Sequence, residues 1–479
     1  MTRIPLSRNT KRRLGLYGGG ALIALAIFIV SRMPVLFAPN LKVRNVRAEA
    51  DQAIGQESTR LLVDLVRIDT SNPPGRTREG ILFLARFFEC EGIPFEIVGE
   101  APERPILVAR LAGRSKEGAL LLLGHIDVVP AGDLAKWDRP PFAGERGTGQ
   151  AAHYLIGRGT LDMKAQIVAS ILAMADLKRR GVVPLRDIVF AAESAEESFE
   201  PAYGIGWILD HRPDLLDGVT DAINEGGVNE VLGTEIVGYG IEVLQKAILS
   251  AMISAPSREP LDELRAFLVA RDRAAPLRLD SNVQEFLRFV APTRSYVWGR
   301  AMLGTGESLL SPQLQAEMPD IYRSLLRDTI VTGPVGPVAT GGFGLAVARL
   351  LLPGSSVAGS EGELANWVRE RHLSMRVLFR TPDAVAAKEG GRAWEVLGNV
   401  LRLDAFEPAV VGPYVLNGQY TSSPILRARG IRALGVSPFN SNLYDAAKIH
   451  NPNERISLPL FVEGVERIRR FVFEYALSP

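Results

Sequence analysis

The sequence contains very little cysteine and histidine, and it has no excess of charge of either sign. Its 479 residues include one cysteine, Cys90, which excludes an internal disulfide framework and any cysteine-rich zinc or iron–sulfur site. Lys plus Arg number 55 and Asp plus Glu number 54, and the net charge of +1 argues against a general nucleic-acid binder. Five histidines leave few candidates for a histidine-built metal site.

The N-terminal segment is basic and then apolar. Residues 1–13 carry five basic side chains and no acid, and residues 14–30 are uncharged and almost wholly apolar. As a helix, residues 14–30 would span about 25 Å, at the short end for a membrane helix, and the basic flank predicts a cytoplasmic N-terminus. We therefore expect residues 1–40 to form a basic tail and a transmembrane anchor, with the rest of the chain periplasmic, extracellular or lumenal.

Two alternatives for this segment stay open. A cleaved signal peptide would make the protein secreted, although no clear A-x-A site follows the apolar run. A buried core helix is the other alternative.

At about 100–200 residues per domain the length predicts two or three domains, and the pattern along the chain indicates two folded ones. Short apolar runs such as ALLLLG (119–124) and DIVFAA (187–192) alternate with helical periodicity, as in 162–180, which indicates an α/β domain with a central sheet. Residues 240–382 have longer helical stretches and Pro- and Gly-rich breaks. We predict one domain, built from residues 41–239 and 383–479, that is interrupted by a second, inserted domain at 240–382.

The first motif with chemical content is GHIDVVP (124–130), which directly follows a predicted buried strand. Strand alternation places His125 and Asp127 on the same side, so the carboxylate can hold the imidazole, as carboxylates do beside metal-binding histidines. On its own, however, H-x-D is more often simply a polar strand end.

Four further motifs place carboxylates or an imidazole at predicted loop or strand ends, and each has a simpler explanation as a helix-start acid or a solvated loop. They are Asp162 in GRGTLDMKAQ, Glu196 and Glu197 in AESAEES, Glu225 in AINEGG and His450 in KIHNPNERI. The adjacent glutamates repel one another unless a cation or a proton lies between them. Taken together, two histidines and at least three carboxylates match the ligands of a two-metal hydrolytic site.

In the order and spacing of these motifs, together with WDRPPFAGE (137–145), the chain resembles the M20 metallopeptidases. The resemblance covers about residues 105–230 and 430–475. It implies an α/β, zinc-peptidase-like catalytic domain with a central mixed sheet, interrupted by a smaller α+β domain that serves as lid and dimerisation unit. The predicted transmembrane helix precedes that fold.

The resemblance also implies a role for each motif residue. His125 and Glu225 would bind one zinc ion, Glu197 and His450 would bind the other, and Asp162 would bridge the two ions. Glu196 would be the general base. Asp127 would orient His125.

Two departures from the family concern the motifs themselves. Ala195 stands where the family usually has Asp before the paired glutamates, but that position is not a metal ligand. Asn224 stands where some members have an Asp that is sometimes assigned as the ligand, and since an amide is a poorer ligand than a carboxylate, the expected ligand is Glu225.

Two larger departures concern substrate handling. The family's inserted domain usually carries a Gly-His-Ser-x-Pro-like motif whose histidine steadies the oxyanion of a neighbouring active site, but SAPSREP (254–260) has no histidine and His372 lies in a different context. Loss of one such donor costs about 10²–10³ in rate. The usual Asp of the segment that holds a substrate carboxylate is Ser422, with Arg427 and Arg429 nearby in a register that the sequence leaves open.

The sequence therefore predicts an exopeptidase or amidohydrolase with two Zn²⁺ per chain, for which Mn²⁺ or Co²⁺ would also fit. Its substrate would be a small peptide or an N-acyl amino acid, and the family likeness implies a homodimer through the inserted domain. The alternative is a metal-binding protein of the M20 fold with little turnover and a recognition or scaffolding role. Glu196 favours the enzyme, whereas the missing lid histidine and the altered carboxylate segment favour the alternative.

Overall fold

A computed structural model describes residues 52–478, apart from 233–234, 295, 305–308, 312–314, 316–317, 340, 388–389 and 404–409. The predicted membrane anchor within residues 1–40 lies outside the described residues. Among the helices that are described, none combines the length and the apolar character needed to cross a membrane.

The strands of the described residues form three sheets. In chain order they are β1 (Phe95–Val98), β2 (Ile106–Leu111), β3 (Ser115–His125), β4 (Glu145–Arg146), β5 (Tyr154–Ile156), β6 (Arg186–Glu193), β7 (Val219–Asn224), β8 (Val228–Leu232), β9 (Glu235–Gln245), β10 (Ala247–Ala255), β11 (Thr329–Thr332), β12 (Gly336–Pro337), β13 (Phe343–Leu351), β14 (Ser374–Arg380), β15 (Val410–Leu416), β16 (Arg432–Gly435) and β17 (Arg455–Ser457).

The α-helices of the described residues lie between these strands. They are α1 (Gln52–Val66), α2 (Arg78–Glu91), α3 (Lys164–Arg179), α4 (Ile205–His211), α5 (Glu259–Arg273), α6 (Ser281–Val290), α7 (Tyr296–Leu303), α8 (Asp320–Arg323), α9 (Val357–Glu370), α10 (Arg392–Leu403), α11 (Ser423–Ala428), α12 (Leu443–Ala446) and α13 (Leu458–Leu477).

The largest sheet has nine strands in the order β1-β2-β6-β3-β7-β16-β9-β15, with β8 paired to β9. Strands β6, β3, β7 and β16 are parallel neighbours, whereas β1, β2, β6 and also β8 and β9 pair antiparallel. The predicted α/β fold with a central mixed sheet is therefore confirmed. The parallel strands carry their carboxyl ends to one edge, where open α/β sheets bind ligands.

Both faces of this sheet are buried, which is why β3 and β6 are nearly continuous apolar runs. On one face, Leu120, Leu122 and Phe190 belong to a large core. On the opposite face, Leu121 and Val189 pack in a smaller cluster with residues of α4 and α11.

Helix α3 is the central helix of the larger core. Thirteen of its sixteen residues are buried, and small side chains such as Ala165, Ala169 and Ala173 allow it to pack closely. It contacts α1, α2 and α13 as well as β3 and β6. Because α3 starts two residues after Asp162, this packing positions Asp162 at the edge of the sheet.

The second sheet is wholly antiparallel and consists of five strands in the order β11-β13-β10-β14, with β12 paired to β13. Helices α5 and α9 pack on it. All five strands lie within the predicted inserted domain, 240–382, whereas β9 of the main sheet continues to Gln245. The domain boundaries and the lid and dimerisation roles stay predictions.

Lys246 joins the two sheets at the step from β9 to β10. Its ammonium group donates to the carbonyl oxygens of Ser324 (2.6 Å) and Arg327 (2.8 Å) and to the hydroxyl of Thr329 (3.3 Å). Burial lowers the pKa of Lys246 to about 7. The three acceptors meet the hydrogen-bonding demand of this buried group.

Candidate metal centre

Four of the predicted site residues lie where parallel strands of the main sheet end. His125 is the last residue of β3, Glu196 and Glu197 follow β6, and Glu225 directly follows β7. These three strands are neighbours, with β3 in the middle. The chain can turn sharply after Glu225 because Gly226 has a φ of 108°, a conformation that favours glycine.

Asp162 is held by a buried acid that the sequence motifs did not single out. Glu454 Oε1 accepts hydrogen bonds from the backbone N–H of Leu161 (2.9 Å) and of Asp162 (3.3 Å). Its other oxygen accepts one from Arg158 Nη1 at 2.6 Å, and both side chains are buried. The Arg158–Glu454 pair thus orders the turn that presents Asp162.

His450 reaches the site from the turn before β17, which pairs with β5 in a three-stranded sheet. Its φ of 62° lies in the left-handed region, which is unusual for a residue other than glycine. Its imidazole is about half exposed, whereas that of His125 is buried.

The side chains form two groups that share Asp162. His125 Nε2 lies 3.0 Å from Asp162 Oδ1 and 3.5 Å from Glu225 Oε1. On the other side, His450 Nε2 lies 3.1 Å from Asp162 Oδ2 and 3.2 Å from Glu197 Oε1. Each group therefore has one imidazole, one terminal carboxylate and one oxygen of the shared Asp162. Such nitrogen and oxygen donors are those of divalent transition metals.

Glu196 lies beside the first group and belongs to neither. Its Oε2 is 4.0 Å from His125 Nε2. Its Oε1 is buried and has no hydrogen-bond partner among the described residues. Together with His125 and Glu225, Glu196 has oxygen and nitrogen atoms close enough to surround one ion, as do His125, Asp162 and Glu197.

The carboxylates of this cluster bind protons more tightly than usual. Burial and the neighbouring acids raise the pKa of Glu196 and of Glu197, and burial and the charge of Asp162 raise that of Glu225 to about 7. Packing so many acids without a cation is unfavourable, and protons partly relieve the repulsion.

The two histidines and Asp162 are instead shifted towards their charged forms. Although burial opposes both shifts, the negative charge of Glu225 raises the pKa of His125, and hydrogen bonds with both histidines lower that of Asp162. Hydrogen bonds to Asp162 and Glu197 raise the pKa of His450 to about 10. A divalent cation in each group would balance the negative charges and displace these protons.

Asp127 lies beside His125, as the sequence predicts, and makes further contacts that the sequence did not indicate. His125 Nδ1 lies 2.9 Å from the backbone oxygen of Asp127 and 3.6 Å from its carboxylate. The carboxylate oxygens accept hydrogen bonds from the backbone N–H of Glu196 (3.2 Å) and of Glu197 (3.1 Å). Asp127 therefore orients His125 mainly through its main chain, and its side chain holds the turn that carries both glutamates.

Asn72 is a second contributor that the motifs did not indicate. Its Nδ2 donates to Asp127 Oδ2 and to Ser198 Oγ, both at 2.9 Å. In the sequence Asn72 precedes two prolines, and no local pattern distinguishes it from an ordinary turn residue. Asn72 comes from the loop after α1 and completes the environment of the Asp127 carboxylate.

The arginines near the altered carboxylate segment already have acidic partners. Arg427 makes a bidentate pair with Glu242, at 2.8 and 2.6 Å, and both side chains are buried. Arg429 pairs at the surface with Asp210. His372 is exposed in the turn between α9 and β14.

The sequence of this chain is similar to those of known proteins. Residues 121–474 match the sequence model of peptidase family M20/M25/M40. Over 432 residues the chain is 27% identical to an N-fatty-acyl-amino acid synthase/hydrolase of Danio rerio, in a match covering 81% of this chain and 77% of that protein.

Two solved structures have the same fold. One is an M20 family metallo-carboxypeptidase from Sulfolobus solfataricus, with a TM-score of 0.69, 15% identity and coverage of 88% of this chain and 99% of that one. The other is human carnosine dipeptidase 1, with a TM-score of 0.66, 15% identity and coverage of 89% and 99%. At this identity they establish the fold alone.

Proposed function

The chain belongs to peptidase family M20/M25/M40, and from this premise we propose that it hydrolyses the amide bond next to an amino acid with two divalent ions held by its metal centre. The substrate would be a small peptide or an N-acyl amino acid. That class is consistent with the names of the three similar proteins, an acyl-amino acid hydrolase, a carboxypeptidase and a dipeptidase.

One observation carries the proposal: two donor groups share Asp162, and the buried Glu196 Oε1 beside them lacks a partner among the described residues. His125, Asp162 and Glu225 would hold one ion, and Asp162, Glu197 and His450 the other. The donors fit Zn²⁺, and Mn²⁺ and Co²⁺ are alternatives.

The ions would supply Lewis acidity, polarising the amide carbonyl and making water acidic enough to react near neutral pH. Glu196 Oε1 would take a proton from the attacking water and deliver it to the nitrogen of the leaving amine. The raised pKa of Glu196 suits this role, because a base with a very low pKa binds the proton too weakly. The side chain of Asp127 would keep Glu196 and Glu197 in place through their backbone N–H groups.

We further propose that residues 14–30 anchor the protein in a membrane, with the enzyme outside the cytoplasm. The support is the basic segment, residues 1–13, followed by an uncharged apolar run. Cleavage of that segment would give a secreted form of the same enzyme.

The test is release of free amine by the purified full-length chain in mild detergent with added Zn²⁺. The panel would combine dipeptides with N-acyl amino acids of short and long acyl chains. We expect Glu196→Gln to lower turnover by about 10²–10⁴-fold, because general acid–base catalysis contributes about that much. The variant should still bind as much metal as the wild type, since Glu196 is not among the proposed ligands.

Two results would contradict the assignment. Unchanged turnover in Glu196→Gln would exclude Glu196 as the base. No release from any substrate by a wild-type protein that binds metal would instead favour a recognition or scaffolding role, for which the absence of a lid histidine in SAPSREP (254–260) is the motivating observation.

A further inference from the structure

A cavity of about 440 Å³ lies beside the turn that carries Glu196 and Glu197. Its walls are mainly aromatic and aliphatic, and they include Phe199, Trp207, Phe379, Tyr420 and Ile425. Phe379 belongs to β14 of the second sheet, whereas Trp207 belongs to α4 beside the main sheet. The cavity is therefore formed where the two parts of the protein meet. Its volume is in the range of pockets for small molecules.

Three of its aromatic rings form a stack. The ring of Phe199 lies parallel to that of Phe379, with centroids 4.3 Å apart and planes inclined by 10°. The ring of Tyr420 meets Phe199 edge-on at 5.1 Å. Phe199 is 37% exposed, and its φ of 58° is a strained conformation for a bulky side chain. Strain of this kind is concentrated at functional sites.

The stack begins in the turn that carries the proposed general base. The backbone N–H of Phe199 donates to the carbonyl oxygen of Glu196 at 2.9 Å. Tyr420 is half-buried; burial raises the pKa of its phenol, and the negative charges of Glu196 and Glu193 raise it further. The main-chain contact of Phe199 and the electrostatic interaction of Tyr420 place the aromatic wall close to Glu196.

The charged groups at the cavity are already paired. Arg380 Nη1 donates to Glu361 Oε2 at 2.7 Å, and Arg429 pairs with Asp210. His211 stacks on Trp207, and its Nδ1 lies 3.1 Å from the backbone oxygen of that residue. With its cationic side chains neutralised in this way, the cavity suits an uncharged hydrocarbon group better than an anion.

We propose that this cavity binds a hydrocarbon group of the amide substrate and so selects substrates by the size of that group. The inference rests on the proposed hydrolase function. Two parts of such a substrate have this chemistry, the acyl chain and the side chain of the amino acid. Burial of each additional methylene between the aromatic walls tightens binding by about fourfold.

Ala202→Phe tests the proposal, because Ala202 is an exposed residue that lines the cavity and a larger side chain there would fill part of it. Ala266→Phe on α5 is the matched control, an exposed alanine that does not line the cavity. KM and kcat would be measured in two series. One lengthens the acyl chain on glycine from acetyl to dodecanoyl, and the other changes the amino acid of N-acetyl substrates from glycine to leucine and phenylalanine.

We expect Ala202→Phe to raise KM at least tenfold for the largest members of one series. In the same variant, KM for N-acetylglycine should change less than twofold. Ala266→Phe should leave KM unchanged for the largest substrates and for N-acetylglycine. An effect confined to the acyl series assigns the cavity to the acyl chain, and one confined to the amino acid series assigns it to the side chain. Equal effects on small and large substrates, or none, would overturn the proposal.

Binding separates failure of this inference from failure of the proposed function. In Glu196→Gln protein, N-dodecanoylglycine and N-acetylphenylalanine would be titrated while tryptophan fluorescence is followed, with Trp207→Phe as the reference that identifies the Trp207 signal. We expect a Trp207 signal that Ala202→Phe weakens at least tenfold in apparent affinity. Absence of turnover would contradict the hydrolase alone, whereas absence of a Trp207 signal for both ligands would contradict the cavity proposal.

Discussion

At the candidate metal centre, the side chain of Asp162 lies between the two histidines and contacts both. Its two oxygens are 3.0 Å from His125 and 3.1 Å from His450, so a single carboxylate connects both donor groups. The hydrogen bonds from the histidines lower the pKa of Asp162 although burial raises it. Asp162 is therefore the acid of this cluster that stays ionised most readily, as its proposed bridging role requires.

Replacement of His450 by asparagine should remove one of the two bound ions. Asparagine tolerates the left-handed backbone at this position, where φ is 62°, but lacks the imidazole nitrogen that lies near Asp162 and Glu197. Metal content per chain, measured by elemental analysis after dialysis, should fall from two to one.

The matched control is His211→Ala, which removes an exposed imidazole from the surface of α4. That variant should keep the metal content of the wild type. Retention of two ions by His450→Asn would exclude His450 as a ligand.

The sequence was informative about side chains that stand at the ends of strands and not about those that support them. Motif order placed seven residues in one site, and the structure does bring all seven together. Asn72 and Glu454 were missed because each acts on a neighbour more than 50 residues away in the chain. A lone Asn before proline, or a Glu in a polar turn, is locally identical to an ordinary loop residue.

At the scale of secondary structure, the apolar runs predicted the elements that form the core. ALLLLG lies within β3, DIVFAA lies within β6, and the helix expected at 162–180 is observed at Lys164–Arg179. The pairing of β9 with β15 could not be predicted, because it joins segments about 170 residues apart and depends on contacts that no local pattern records.

The pair of arginines in and after α11 provides a test of how this helix is attached to the sheet. Arg427→Met should lower the free energy of unfolding by about 3–5 kcal/mol, because it leaves the buried Glu242 carboxylate without its partner. Arg429→Met should change it by about 0–1 kcal/mol, because its pair with Asp210 is half exposed and screened by solvent.

Urea denaturation of both variants, followed by circular dichroism, measures the difference. The double variant Arg427→Met with Glu242→Leu should recover part of the loss, since neither buried charge then remains. Equal destabilisation by the two single variants would show that Glu242–Arg427 is not a buried pair in solution.

At the scale of the whole molecule, the mixed main sheet and the antiparallel second sheet are joined at Lys246. The candidate substrate cavity lies where the two parts of the protein meet. The composition change at residue 240 indicated a second unit, but no sequence pattern indicated how that unit would be oriented. The position of Phe379 against Phe199 depends on that orientation. The aromatic wall of the cavity therefore could not be predicted from the sequence, whereas the residues of the candidate metal centre could.

Metal removal should destabilise the whole protein more strongly as the pH rises. In the metal-free protein the pKa of Glu225 is raised from an ordinary 4.5 to about 7, and that of His450 from 6.5 to about 10. Groups whose pKa is raised by folding stabilise the protein below their ordinary pKa, and this stabilisation is lost as the pH rises through the raised value. The metal-free protein therefore loses stability as the pH rises, through Glu225 between about pH 5 and 7 and through His450 between about pH 7 and 10. Bound divalent ions take the place of the protons and remove that loss.

The measurement is the melting temperature with buffered Zn²⁺ and with a chelator, at pH 6 and at pH 8. We expect the stabilisation by Zn²⁺ to be larger at pH 8 by at least about 5 °C, because each unit of pKa shift corresponds to about 1.4 kcal/mol. His450→Asn should reduce this pH dependence, since it removes the group with the larger shift. A stabilisation that is equal at the two pH values, or larger at pH 6, would mean that the protons on Glu225 and His450 do not compete with the ions.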